Sequence, residues 1–335
     1  GLVGSEMCIR DRSVWGYLVT AVMACVLILS PCLGAIGDRM RSKRGFLVFW
    51  AVVGSMATMG LAAAAPGRLG LTLLVAFVAH LGYEMSLVFY NAFINDVSTQ
   101  EMKGTVSGWG FAWGYIGGGI CLGVNMAMIA KPGWFGLPAG GTLPFQAGFF
   151  IVGVWWLLFS IPTFLWVRDA DIPNSEKTHT HSVRVVVRGA FSDLKKTFLW
   201  AWAVRDLKRF LLAFFIFSDG IQTILIMASI FGAKALGMSP LELGFCFLLI
   251  QFVAFVGASF FGPLADRWSH KNVVLTTLVV YSGVTLWAVF MHSKWEFWVL
   301  GVVVGVVLGG SQAAARSLFA NMIPAAHSAS LFALY

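Results

Sequence analysis

Nine apolar runs, each about as long as a helix that crosses a bilayer, constrain this chain more than any other feature. They lie at roughly 14–33, 46–65, 70–90, 106–129, 146–167, 210–231, 241–261, 273–291 and 295–315. About 20 apolar residues span the roughly 30 Å of a hydrocarbon core. Inside lipid, only helices and closed barrels satisfy every backbone polar group. The chain is 59% hydrophobic and 11% charged, whereas soluble domains carry about 25% charged residues. The sequence therefore predicts an all-α polytopic membrane protein with no separate soluble domain.

The formal net charge of +8 is distributed as membrane topology, not as a nucleic-acid surface. With the loops alternated and 34–45 placed in the cytoplasm, 17 Lys and Arg fall on the cytoplasmic side: four in 34–45, one in 91–105, nine in 168–209, two in 262–272, and Arg316. The opposite loops hold four: Arg68, Lys131, Lys234 and Lys294. That asymmetry is the positive-inside signature. Basic clusters with interleaved aromatics on a folded face, which nucleic-acid binding would need, are missing.

The long polar stretch 168–209 divides five runs from four and holds nine basic against five acidic residues. Within it Val183, Val186, Val187, Ala190, Phe191, Leu194 and Phe198 recur at helical spacing, opposite Arg184, Arg188 and Lys195. This pattern fits either an amphipathic helix on the inner leaflet or a solvated linker helix. The organisation read from the sequence is thus a tail at 1–12, a helical half at 13–167, a linker at 168–209 and a second half at 210–335. The tail, GLVGSEMCIRDR, is too polar to span and reads as a foreign or misread end joined to the first span. SLFALY stops as a new apolar stretch begins, and the chain is expected to be a fragment. Cys25, Cys32, Cys121 and Cys246 lie in apolar runs with no metal or redox spacing and read as buried small hydrophobes.

Two charged phrases stand out against this background, GAIGDRMRSKRG at 34–45 and GPLADRWSHKN at 262–272. In each, a glycine precedes an acid by four residues and an arginine follows it, and the two acids, Asp38 and Asp266, are 228 residues apart. A recurrence six helices apart resembles the parallel six-helix repeats of the major facilitator superfamily. In that superfamily, the turn after the second helix of each half carries G-x-x-x-D-R-x-x-R/K-R. The second copy departs at Trp268, Ser269 and Asn272. The resemblance implies that the chain lacks the fold's first helix and its last two. It also gives Gly34, Asp38, Arg39, Arg44, Gly262, Asp266 and Arg267 the role of a gate. Glycines permit close helix approach, and the acids meet arginines and a helix N-terminus. Asp266 is then expected near Gly104–Gly108, and Asp38 without its full partner set. The competing reading is a basic turn that only fixes topology.

Four further stretches are similar to the vacuole effluxer family, the autophagy-related amino-acid exporters and their bacterial relatives: LVFYNAFINDVS (87–98), VSGWGFAWGYIGGG (106–119), FSDGIQTILIMASIFGA (217–233) and GGSQAAARSLFANMIP (309–324). The family's opening Asp-Trp-Ala-Asn-Ser-type helix is absent, and Ala314 and Ala315 stand where Leu-Ser is usual. The resemblance implies a carrier for a small solute, possible substrates being amino acids, in a bacterial inner membrane or a fungal vacuolar membrane.

Polar residues inside the runs mark the candidate route. His80, Glu84 and Asn91 share one helical face. A mid-bilayer carboxylate costs about 2.5–3.5 kcal/mol on insertion scales, so Glu84 either carries a coupling proton with His80 or forms a structural bond with it. Asp219, Gln222 and Thr223 form a second cluster, expected to share one central cavity with Glu84. Gln312 and Arg316 lie a turn apart, with Arg316 either a gate residue or a snorkelling cation. The glycines from Gly108 to Gly123 partly match an antiporter phrase, with close helix packing the simpler reading. Neither HExxH nor a Ser/His pairing points to an enzyme, and no charge ring or filter loop to a channel. The expectation is a proton-coupled, alternating-access monomer embedded in lipid, with no cofactor, no metal and no nucleic-acid partner. Carriers for other metabolites or drugs remain the alternative.

Overall fold

The computed structural model describes residues 2–63, 68–138, 141–169 and 183–335. The side chains of residues 2–13, 183–188, 190, 191 and 193 lie outside that description. Among the described residues the chain is helical, with no strands: α1 (Leu2–Met40), α2 (Lys43–Gly60), α3 (Leu69–Ala92), α4 (Ile94–Val97), α5 (Lys103–Ala130), α6 (Leu143–Trp166), α7 (Val183–Ala203), α8 (Arg205–Lys234), α9 (Pro240–Arg267), α10 (His270–Val289), α11 (Lys294–Met322) and α12 (Ser328–Leu334). Nine of these are long and apolar enough to cross a membrane, beginning with Val14–Met40 in α1. These are the nine runs read from the sequence.

The helices are longer than the apolar runs. Val14–Met40 has 27 residues, about 40 Å at a rise of 1.5 Å per residue, so its end projects past the hydrocarbon. The charged phrases are therefore mostly helix ends. Asp38 and Arg39 sit on the last turn of α1, and α2 begins at Lys43. Arg41 makes the tight reversal with φ 51°. Helix α1 also continues into residues 2–12, which the sequence reading set apart as a tail. The predicted linker helix is present as α7, although 170–182 and the side chains of Val183, Arg184, Val186, Val187, Arg188, Ala190 and Phe191 lie outside the described residues. At the opposite end of their spans α9 and α11 start alike. Ser239 accepts from the Glu242 amide at 3.2 Å and Ser293 from the Glu296 amide at 3.3 Å. Each glutamate in turn accepts its serine's amide, at 2.7 and 3.0 Å, closing a reciprocal capping box.

The chain forms two compact units, Gly1–Asp96 with Lys131–Leu199 and Ala325–Tyr335, and Val97–Ala130 with Trp200–Pro324. This grouping crosses the sequence division at 168–209, because α5 packs with the later helices and α12 with the earlier ones. In the first unit α2 lies against α3 and α6, while α12 lies against α1 and α3. In the second, α11 is wrapped by α5, α9 and α10, and its Ala314 and Ala315 are buried with Ala265, Val273 and Val274. Those two alanines are packing residues.

Close approach explains Gly108 of α5 and Gly262 of α9 facing it. A Cβ on Gly108 would lie 2.6 Å from the Ala258 carbonyl oxygen, and one on Gly262 would lie 2.7 Å from that of Gly104. Gly114 faces open space. Gly262→Ala should therefore destabilise the purified protein by about 1–3 kcal/mol through overpacking. Gly114→Ala should be neutral or stabilising, because alanine is the better helix former. Thermal unfolding in detergent checks the contrast.

Candidate functional site

An α-helix starts with amide groups that have no intrahelical acceptor, and its N-terminus carries partial positive charge. In the second unit the Asp266 carboxylate, on the last turn of α9, meets the start of α5. Oδ1 accepts from the Gly104 amide at 2.7 Å, while Oδ2 accepts from the Thr105 amide and from Thr105 Oγ1, both at 2.7 Å. His270 Nε2 stands 3.3 Å from Oδ1 and 3.5 Å from Asn321 Nδ2. Lys103, buried beside this contact, donates to the Ala320 carbonyl at 2.9 Å.

The first unit repeats the arrangement. Asp38 Oδ1 accepts from the Ala329 amide at 2.9 Å, and Oδ2 accepts from the Ser330 amide at 2.8 Å and from Ser330 Oγ. A Cβ on Gly34 would lie 2.7 Å from the Ala329 carbonyl oxygen, so only glycine lets α12 come this close. This corrects the expectation that Asp38 lacks its full partner set. The partners are backbone amides and one hydroxyl of a first helical turn, and the seven residues of α12 supply them.

The arginines of the phrases are used unequally. Arg44 donates through its guanidinium to the Phe164 carbonyl and through its amide to Asp169 at 3.3 Å, which ties the first charged turn to the end of α6. Burial raises the Asp169 carboxyl above its ordinary range, and the Arg44 amide opposes that shift. Arg39 lies against α7, where a Cβ on Gly189 would strike its guanidinium. Arg267 is exposed. The buried ion pair beside the first turn joins Lys43 to Asp96, their side chains 9% and 3% exposed. Lys43 also donates to Ser328 Oγ at 3.2 Å and lies over the Phe93 ring. Sequence reasoning missed Lys43, Asp96, Thr105, Ser330, Lys103 and His270. The signal within reach was a small residue followed by a hydroxyl, Gly104–Thr105 and Ala329–Ser330, repeated at nearly the interval of the two acids.

Of the span residues, His80 and Glu84 form a pair on α3 with Nε2 to Oε1 of 3.4 Å, each side chain 24% exposed. Asn91 is half-buried further along the same helix. Asp219, Gln222 and Thr223 lie together on an exposed face of α8. Glu84 belongs to the first unit and Asp219 to the second. A cavity of about 220 Å³ between α8, α9, α10 and α11 is walled by apolar residues such as Ile224, Phe231 and Val304, and the α8 polar cluster is outside its lining. A cavity of about 230 Å³ in the first unit is lined by Tyr83, Ser86, Tyr90, Trp156 and Ser160, and Glu84 is outside its lining. Tyr115 donates to Gln312 Oε1 at 2.6 Å. Arg316 is 4% exposed, which removes the snorkelling reading. Its Nε donates to Ser107 Oγ and its guanidinium to the Ser107 carbonyl, both at 2.9 Å.

Residues 2–335 match the model of the family described as vacuole effluxer Atg22 like. The chain belongs to the vacuole effluxer family. Its similarity to the uncharacterised MFS-type transporter YxiO of Bacillus subtilis (strain 168) is 31% identity over 326 residues, covering 97% of this chain and 74% of that protein. Autophagy-related protein 22-1 of Penicillium rubens (strain ATCC 28089 / DSM 1075 / NRRL 1951 / Wisconsin 54-1255) is 27% identical over 249 residues, covering 69% of this chain. The chain spans only 41% of that fungal protein. Among solved structures, a bacterial homologue of the iron transporter ferroportin in an outward-facing state superposes with a TM-score of 0.59 at 16% identity, covering 96% of this chain and 79% of that one. That likeness shows the fold alone, and the major facilitator assignment rests on the relation to the MFS-type transporter YxiO. As a vacuole effluxer family member, the chain is a multi-pass membrane protein whose relatives are transporters.

The buried pair gives the sharpest stability test. Lys43→Met or Asp96→Leu alone leaves a buried charge unpaired and should cost about 3–5 kcal/mol, whereas the double variant should recover most of that loss. Denaturation of the four proteins in detergent measures the coupling.

Proposed function

We propose that this vacuole effluxer family member is a secondary active carrier that moves a small solute by alternating access. The observation that carries this reading is the pair of aspartate contacts, each joining helices from different sequence halves. Asp266 of the second half caps α5 of the first, and Asp38 of the first half caps α12 of the second. Each hydrogen bond to a charged group contributes about 1.5–3 kcal/mol. Each such cluster ties together helices of the two sequence halves at the end of the spans that carries the charged turns, and parting the halves there requires breaking it. That end is cytoplasmic, an assignment supported by the 17 to four distribution of basic residues. The charged turns, with Gly34, Asp38, Arg39 and Arg44 in one and Gly262, Asp266 and Arg267 in the other, are then the inner gate.

The solute reading is amino acids, carried over from the resemblance read in the sequence, with protons as the coupling ion through Glu84 and His80. In this reading Glu84 and Asn91 are the route residues of the first unit and Asp219, Gln222 and Thr223 those of the second. The membrane is the inner membrane in a bacterium or the vacuolar membrane in a fungus. Support for the coupling is the position of the His80–Glu84 pair, a titratable couple inside a span, where ionisable groups are costly and mark ion or proton routes.

In the full-length protein reconstituted into vesicles, Glu84→Gln should abolish proton-gradient-driven flux of labelled amino acids and spare their one-for-one exchange. Equal loss of both modes with normal folding would reject the coupling role.

A further inference from the structure

Arg316 is among the most buried charges of the second unit, and its surroundings follow a simple pattern. Ser107, Phe111 and Tyr115 recur every fourth residue on one face of α5, and Gln312 and Arg316 do so on the facing side of α11. The Arg316 guanidinium lies 4.3 Å from the centre of the Phe111 ring while donating to Ser107 Oγ and the Ser107 carbonyl at 2.9 Å. Ser107 Oγ donates onward to the Ala313 carbonyl at 2.8 Å. One turn away, Tyr115 donates to Gln312 Oε1 at 2.6 Å, so the amide nitrogen of Gln312 remains as a donor on the same face. This face of α11 thus presents a guanidinium fork and a carboxamide N–H₂, and α5 meets them with a hydroxyl, a carbonyl and an aromatic ring.

Burying a guanidinium is expensive, and the group that repays it best is a carboxylate, whose two oxygens match the planar fork. A serine offers single neutral acceptors instead. We propose that Arg316 and Gln312 form the binding site for the carboxylate of the transported solute, and that Ser107 and Phe111 of α5 occupy this site while the gate is closed. When α5 withdraws, the two donors face the solute. A carboxylate that replaces Ser107 binds the open form better than the closed one, and only such a differential can shift the balance between them. The solute class that follows is a small molecule bearing a carboxylate. This inference rests on the alternating-access reading and adds to it a ligand chemistry and a residue pair.

The test uses the full-length protein in proteoliposomes and measures counterflow with three sets of labelled probes: the L-amino acids, their decarboxylated amines, and short monocarboxylates such as isovalerate. Counterflow is expected for carboxylate-bearing probes and not for the amines. Arg316→Gln should weaken apparent affinity for those probes by about thirtyfold or more, as loss of one partner of a buried charged pair does, and Arg316→Lys should weaken it less. Ser107→Ala removes one of the two competing acceptors, leaving the Ser107 carbonyl, and should tighten apparent affinity; a purely structural role for the contact predicts weaker. Exchange of amines as fast as their amino acids, an unchanged affinity in Arg316→Gln, or exchange of no carboxylate at all would each overturn the proposal. Impermeant maleimide labelling of Ala320→Cys, a position fully buried here, scores alternation independently of any solute. If its labelling never changes on energisation, the alternating-access reading itself fails; if it changes while Arg316→Gln keeps its affinity, only the carboxylate site fails.

Discussion

The unpaired amides at the start of a helix must find acceptors, and in a membrane protein water is scarce where helix ends are packed. Two aspartates answer that need from neighbouring helices. Asp266 takes the amides of Gly104 and Thr105, and Asp38 those of Ala329 and Ser330. Much of the remaining architecture follows from holding a carboxylate within 3 Å of another helix's backbone. Gly104 is glycine because a Cβ there would sit 2.6 Å from Asp266 Oδ1. Gly34 and Gly262 are glycine because the capped helices pass directly over them. The composition of the two compact units, each borrowing one helix from the other sequence half, is the same constraint seen at a larger scale.

The two contacts share a backbone geometry and differ in their neighbours. Close to the Asp38 contact, Lys43 is paired with Asp96 and tethered to Ser328 at the head of α12. Beside Asp266 the neighbours are His270, Asn321 and the Lys103 ammonium bound to the end of α11. One cluster is thus an ion-paired network and the other a set of mostly neutral bonds around a single carboxylate. Buried ion pairs are costly to break singly and contribute little as a pair. The first cluster therefore specifies which groups must meet, while the second relies on the capping bonds themselves.

The spans were legible because lipid allows few solutions, and a 20-residue apolar run has one outcome. The repeated glycine and acid were legible because a capping carboxylate and a close approach need those residue types at that spacing. The partners of the acids were not, since backbone amides leave no trace in a sequence and Thr105 and Ser330 are common residues. The burial of Arg316 was hidden for another reason. Helix α11 is packed on nearly every side, so it lacks the polar stripe that would tell which way an inner-end arginine points. Asp219, Gln222 and Thr223 were readable as one face of α8, but which surroundings that face meets is a matter of packing between helices, not of spacing along one.

Hydrogen exchange of the capped amides tests the central claim most directly. In the purified protein, peptides covering 103–108 and 328–332 should exchange slowly. Asp266→Ala should speed exchange at Gly104 and Thr105 by at least about tenfold, the equivalent of about 1.4 kcal/mol, with Asp38→Ala doing the same at Ala329 and Ser330. Unchanged protection at these amides in the alanine variants would show that the aspartates do not hold the helix starts, and would contradict the account.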